Sequence, residues 1–122
     1  MHGAWTLLGA PLNSAAAGEG EELAPAALRA AGLVERLAMT DAGDVTGRLT
    51  DRMRDAGTGV IAFRQLLAAS VALRAAVAGV ARPFVVGGDC SLLPGALAAD
   101  PRARARRARG PPARDAGRGR RR

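Results

Sequence analysis

The chain has 122 residues, enough for one domain with a modest core and not for two. Hydrophobic residues make up 48% and charged residues 24%, but aromatics only 2%, so the core has to be built from Ala, Leu and Val. Residues 102–122 hold ten arginines against Asp115 alone, a net of +9, and the rest holds eight arginines against ten acids, a net of −2, so the overall +7 excludes a basic body.

A single cysteine leaves no internal disulfide and no argument for secretion. The N-terminal residues lack the basic and apolar regions of a signal peptide, and no apolar run reaches the length of a membrane span. The expectation is a soluble cytoplasmic protein without a membrane partner.

Trp5–Ala10 is a short apolar run stopped by Pro11 and predicts a first buried strand. Residues 12–23 read as a glycine-bearing acidic loop. Ala24–Leu33 predicts a helix, with Pro25 in the first turn and Gly32 as the stop. A weaker strand is expected within Val34–Asp44, with Asp41-Ala42-Gly43-Asp44 as the loop that follows it. Val45–Thr58 has no clear period and reads as a surface connection with one helical turn.

The strongest helix is predicted from Thr58 or Gly59 to Ala81. Phe63, Leu66, Leu67, Val71, Leu73, Val77 and Val80 recur at three- and four-residue steps along one side, and Arg64, Gln65 and Arg74 face out. Arg82-Pro83 ends this helix. Phe84–Val86 predicts a third strand, and Leu92–Ala99 a last helix that tolerates Pro94 in its first turn. Alternating strands and helices imply a parallel sheet covered on both faces, with at least one open edge. From Pro101 onwards there is no Leu, Ile, Val, Met or aromatic residue, so 101–122 is expected to be disordered.

The chemistry concentrates at Gly87-Gly88-Asp89-Cys90-Ser91, where the third strand gives way to a helix. Ligands of open α/β sheets bind outside the carboxyl ends of strands. Four readings are open on the residues alone. The glycine N–H groups could cradle a phosphate, although neither GxGxxG nor a P-loop lysine is present. Cys90 could be a nucleophile, although the only histidine, His2, is far away in sequence. Asp89 or Cys90 could bind a metal. Alternatively the glycines make the turn, Asp89 or Ser91 caps the helix, and Cys90 is a small buried side chain.

Gly87-Gly88-Asp89-Cys90-Ser91 resembles the Gly-Gly-Asp-His-Ser signature of the ureohydrolases, the arginase, agmatinase and formimidoylglutamase family. Leu8-Gly9-Ala10-Pro11 with Asn13-Ser14 resembles that family's first strand and its exit. Gly18-Glu19-Gly20 with Glu22–Arg29 resembles its glycine-rich loop and following helix, and Asp41-Ala42-Gly43-Asp44 its D-x-G-D. The resemblance covers residues 5 to about 99. It implies an α/β fold, specifically part of a three-layer α/β/α domain with a parallel sheet, over residues 1–100. It also implies a Mn²⁺ pair that activates water for hydrolysis of a guanidino or amidino substrate, and the prospect of a homo-oligomer.

Two departures matter. The position of the family's ligand histidine is Cys90, whose softer thiolate suits Zn²⁺ or Fe better than Mn²⁺. Gly87, Gly88, Asp89 and Ser91 are then structural neighbours of that position. The family's later D-x-H-x-D and D-x-D segments have no counterpart here; the arginine tail stands in their place, as out-of-frame translation of GC-rich DNA would produce. The expectation is an inactive N-terminal portion of an amidinohydrolase. The rival is a small α/β domain whose Arg tail binds nucleic acid or acidic partners non-specifically.

Overall fold

A computed structural model describes residues 4–15 and 20–99. Strand β1, Thr6–Ala10, is central and almost wholly buried. It pairs in parallel with β2, Thr40–Asp44, on one side and β3, Pro83–Gly87, on the other, giving the order β2-β1-β3. Both outer strands are therefore edges among the described residues, as an unfinished parallel sheet requires. Thr6 lies opposite Thr40 and Pro83 at the amino ends, and Ala10 lies opposite Gly87 at the carboxyl end.

Helices cover both faces. On one, Leu7 and Val86 pack with Met39 and with Leu33 and Val34 of the short helix α2, Leu33–Arg36. Helix α1, Ala24–Ala30, lies on the same side and reaches across Gly9 through Arg29. On the other face lie α3, Phe63–Ala78, and α4, Leu93–Ala98. Here Leu12, Leu49, Ala62 and Ala69 form a core joined by Ile61, Leu66 and Leu92. The two helices meet closely where Gly95 faces Ser70, since a Cβ on Gly95 would come within 2.7 Å of the Ser70 carbonyl oxygen. The result is a small three-layer α/β/α unit, as the alternating pattern predicted. No described helix is long and apolar enough to cross a membrane.

Several boundaries differ from the sequence reading. The first helix stops at Ala30 rather than Leu33, because Gly32 takes a left-handed conformation at φ 83° and the chain restarts as α2. Val34–Arg36, read within the second strand, is helical as part of α2, and Asp41–Asp44, read as loop, lies in β2. Strand β2 has almost no β-forming residues; it is held by its ladder to β1 and by Arg29, which bridges its two carboxylates.

The long helix begins at Phe63 and ends at Ala78, inside the expected span. Gly59 and Ala62 have positive φ, and Arg54 and Ile61 form an antiparallel bridge that holds the preceding segment extended. The expected helical turn within 45–58 is absent. Asp55 instead organises a tight turn, accepting from the N–H groups of Gly57 and Thr58 and the Thr58 hydroxyl. The apolar stripe of α3 also divides. Leu73 is fully buried, whereas Leu67 and Val71 are 56% and 64% exposed. Gln65, expected to face out, clamps the preceding loop by accepting from the N–H groups of Thr50 and Asp51.

Candidate functional site

The carboxyl ends of β1 and β3 lie side by side, so the segments leaving them meet. Gly88 donates to the Ala10 carbonyl at 3.3 Å and Asp89 donates to that of Leu12 at 3.0 Å. The contact depends on glycine: a Cβ on Gly88 would overlap the Leu12 carbonyl oxygen, and one on Gly87 would overlap Leu92.

Asp89 sits at the junction. One carboxylate oxygen accepts from the Ser14 N–H at 2.7 Å and the Ser14 hydroxyl at 2.5 Å. The other accepts from the Ser91 N–H at 3.1 Å and from the Ser91 hydroxyl. It thereby caps the short 3-10 turn Cys90–Leu92 that leads into α4. Partial burial works against the charged form, but the hydrogen bonds from Ser14 and Ser91 outweigh it and hold Asp89 below its ordinary value.

A second polar pair supports the loop after β1. The Asn13 amide donates to Glu22 at 2.7 Å, with both residues over nine-tenths buried. Gly20 N–H donates to the same carboxylate oxygen at 3.2 Å, and Asn13 Oδ1 accepts from Ala15 N–H. The Asn13 amide, helped by backbone N–H groups, keeps Glu22 below its ordinary value. The other oxygen, Glu22 Oε1, is buried without a hydrogen-bond partner among the described residues.

At the far side of β1, Arg29 holds both carboxylates of β2. Its Nε lies 2.8 Å from Asp41 and its Nη1 2.6 Å from Asp44. Asp44, then Asp41, raises the pKa of Arg29, while Arg29 and the Gly43 N–H hold Asp41 below its ordinary value. These aspartates are therefore engaged structurally, from a strand rather than from the expected loop.

The geometry speaks against the anion-cradle reading of the motif. The N–H groups of Gly88, Asp89 and Ser91 are all committed within the fold. Cys90, read on one view as a small buried side chain, is exposed at the start of the 3-10 turn. His2 and the arginine tail lie outside the described residues.

The fit to a metal pair fails on the described residues. No group of three or more His, Cys, Asp or Glu side chains is arranged to hold a metal ion among them. Both Asp89 oxygens already accept two hydrogen bonds each. The sequence reading singled out Gly87, Gly88, Asp89 and Ser91, which the fold does bring together. It had placed Asn13-Ser14 only as a strand exit and Glu22 only in a loop. What would have flagged them is adjacency of β1 and β3, which sequence order alone does not give.

No protein-family model and no curated protein matches the chain. Solved structures do match. Arginase from Bacillus caldovelox superposes with a TM-score of 0.68 at 31% identity, over 79% of this chain and 36% of that one. Two structures of arginase from Bacillus subtilis give TM-scores of 0.65 and 0.59, each at 27% identity over 80% of this chain. They are covered over 35% and 33% of their lengths, so the chain spans about a third of the arginases it matches. The fold is arginase-like.

Proposed function

We propose that the chain is an arginase-family protein corresponding to the N-terminal third of a metal-dependent amidinohydrolase. The observation that carries this reading is the joint occurrence of the fold match and the Gly87–Ser91 motif, at the carboxyl ends of β1 and β3 where open α/β sheets bind their ligands. In an intact relative the reaction is hydrolysis of a C–N bond in a linear guanidino or amidino substrate, supported by manganese, in the cytoplasm.

On this reading the present chain is inactive by itself. Its described residues supply no complete donor set, and Asp89 serves as a brace. Cys90 is the position through which it would touch a metal, with zinc or iron favoured by the thiolate and the remaining donors coming from outside the described residues.

Two measurements test the reading. Purified chain with manganese or zinc is expected to release no urea above background from arginine or agmatine; release above background refutes inactivity. A chimera replacing the matched third of the B. caldovelox arginase with residues 5–99 is expected to fold and to regain arginine hydrolysis on Cys90→His. A folded chimera that stays inactive with histidine at 90 removes the family assignment of that position.

A further inference from the structure

Leu12, Asn13 and Ser14 leave β1 as consecutive residues with two different attachments. Leu12 and Ser14 hold Asp89. The Leu12 carbonyl accepts the Asp89 N–H at 3.0 Å, and Ser14 donates its N–H and its hydroxyl to the Asp89 carboxylate. Asn13, between them, is held by Glu22 of the 3-10 turn Glu21–Leu23. The Asn13 amide is used at both ends. Its Nδ2 donates to Glu22 Oε2 at 2.7 Å, and its Oδ1 accepts from the Ala15 N–H at 3.0 Å. The second bond closes an Asx turn whose middle residue is Ser14.

The two attachments therefore act in series. Glu22 orients the amide of Asn13, the amide shapes the turn, and the turn sets the Ser14 N–H on Asp89. Packing closes the circuit. A Cβ on Gly88 would lie 3.0 Å from the Glu21 carbonyl, so the turn carrying Glu22 rests directly on the glycine turn before Asp89. Glu22 Oε1 is buried without a partner among the described residues. A buried carboxylate with one oxygen unpartnered is a poor stabilising element. What it supplies is a charge-assisted acceptor that holds Asn13 in one orientation.

We propose that Glu22 and Asn13 are positioning residues for the Gly87–Ser91 turn, acting through Ser14 and Asp89 on the side chain at position 90. Residue 90 lies between Asp89 and Ser91, which the Asp89 carboxylate ties together. That position 90 serves a metal-dependent reaction rests on the function proposed above. The relay to it rests on hydrogen bonds within this chain.

Cys90 is the only cysteine and is exposed, so a trifluoroethylthio group attached to it as a disulfide gives a single fluorine NMR signal from the turn. Glu22→Met and Asn13→Ala are each expected to move that signal in the direction in which Ser14→Ala moves it, and to quicken exchange of the Ser91 N–H about tenfold. Glu22→Gln, whose amide oxygen still accepts from Asn13, is expected to keep the wild-type signal. Arg29→Met, at the β2 side of the sheet, is expected to leave it in place, which separates the relay from a general loss of stability. Ser14→Ala is expected to add nothing once Asn13→Ala is present. Circular dichroism reports whether each variant is folded, and the contrast of Glu22→Met with Glu22→Gln carries the test where Asn13→Ala unfolds the chain. A signal unmoved by Glu22→Met overturns the proposal, as do additive effects of Asn13→Ala and Ser14→Ala. None of these readings uses activity, so an inactive chimera leaves the relay standing and an unmoved signal leaves the chimera's result standing.

Discussion

Ser14 and Asp89 are 75 residues apart in sequence, yet Ser14 gives both its N–H and its hydroxyl to one oxygen of the Asp89 carboxylate, at 2.7 and 2.5 Å. This contact fixes the exit of β1 against the exit of β3. With Ser91 on the other oxygen, it makes Asp89 a staple between two loops and the cap of the turn before α4. Charge-assisted hydrogen bonds of this kind are stronger than neutral ones.

Asp89→Asn is expected to cost about 2 kcal/mol at neutral pH, read by urea denaturation. The pH dependence has a definite sign. Asp89 is held below its ordinary 3.8, so its stabilisation is fully present above that value and fades as pH falls through the lower folded-state value. The gap between wild type and Asp89→Asn should be flat from neutrality to about pH 5 and narrow below roughly pH 4. A gap independent of pH down to unfolding would show that the charge does not matter.

Gly88→Ala is expected to destabilise by about 2–3 kcal/mol, since its Cβ has backbone on two sides, Leu12 and Glu21, and neither can swing away. Gly47→Ala is the matched control. Nothing lies within 4 Å of its added carbon and its φ is not left-handed, so its midpoint should be unchanged or slightly raised. Equal effects at both positions would remove the packing argument.

On α3, Leu73→Ala is expected to cost about 3 kcal/mol, as for other fully buried leucines. Leu67→Gln and Val71→Gln should each cost less than about 0.5 kcal/mol, because both side chains already face solvent. Thermal melts of the three variants distinguish this divided stripe from the single apolar face that spacing suggested.

Arg29→Met removes the tie between α1 and the two carboxylates of β2. The three side chains are 22%, 31% and 42% exposed, so water screens the pairs and a loss of about 1 kcal/mol is expected, shrinking at high salt. Arg29→Lys should recover only part of it, since one ammonium cannot reproduce the forked contact with Asp41 and Asp44. A double-mutant cycle with Asp41→Asn measures the coupling directly. Zero coupling would mean that β2 is held by its ladder to β1 alone.

The readable parts of the chain were those whose causes are local. Pro11 and Gly32 punctuate the elements through backbone sterics that need no neighbour, although α3 ends at Ala78 and Gly79, before the Arg82-Pro83 stop the sequence offered; β1 is a run of buried apolar residues, and β3 an apolar run of which Val86 is buried. The Gly87-Gly88 turn and the Asp89 cap were visible for the same reason. Strand β2 was misread because Thr40–Asp44 has no strand signal of its own; a β1 ladder and a distant arginine make it one. The α3 stripe was misread because periodicity places residues on a side without saying how wide the covering surface is. Leu67 and Val71 fall beyond it.

Sequence by itself determined that this is a parallel α/β unit with its chemistry at the turn after the third strand, because strand–helix alternation, punctuation and side-chain type act over a few residues. The tertiary structure decided what that turn is for in this chain. It set β1 and β3 side by side, spent the Asp89 carboxylate on Ser14 and Ser91, and left Cys90 exposed.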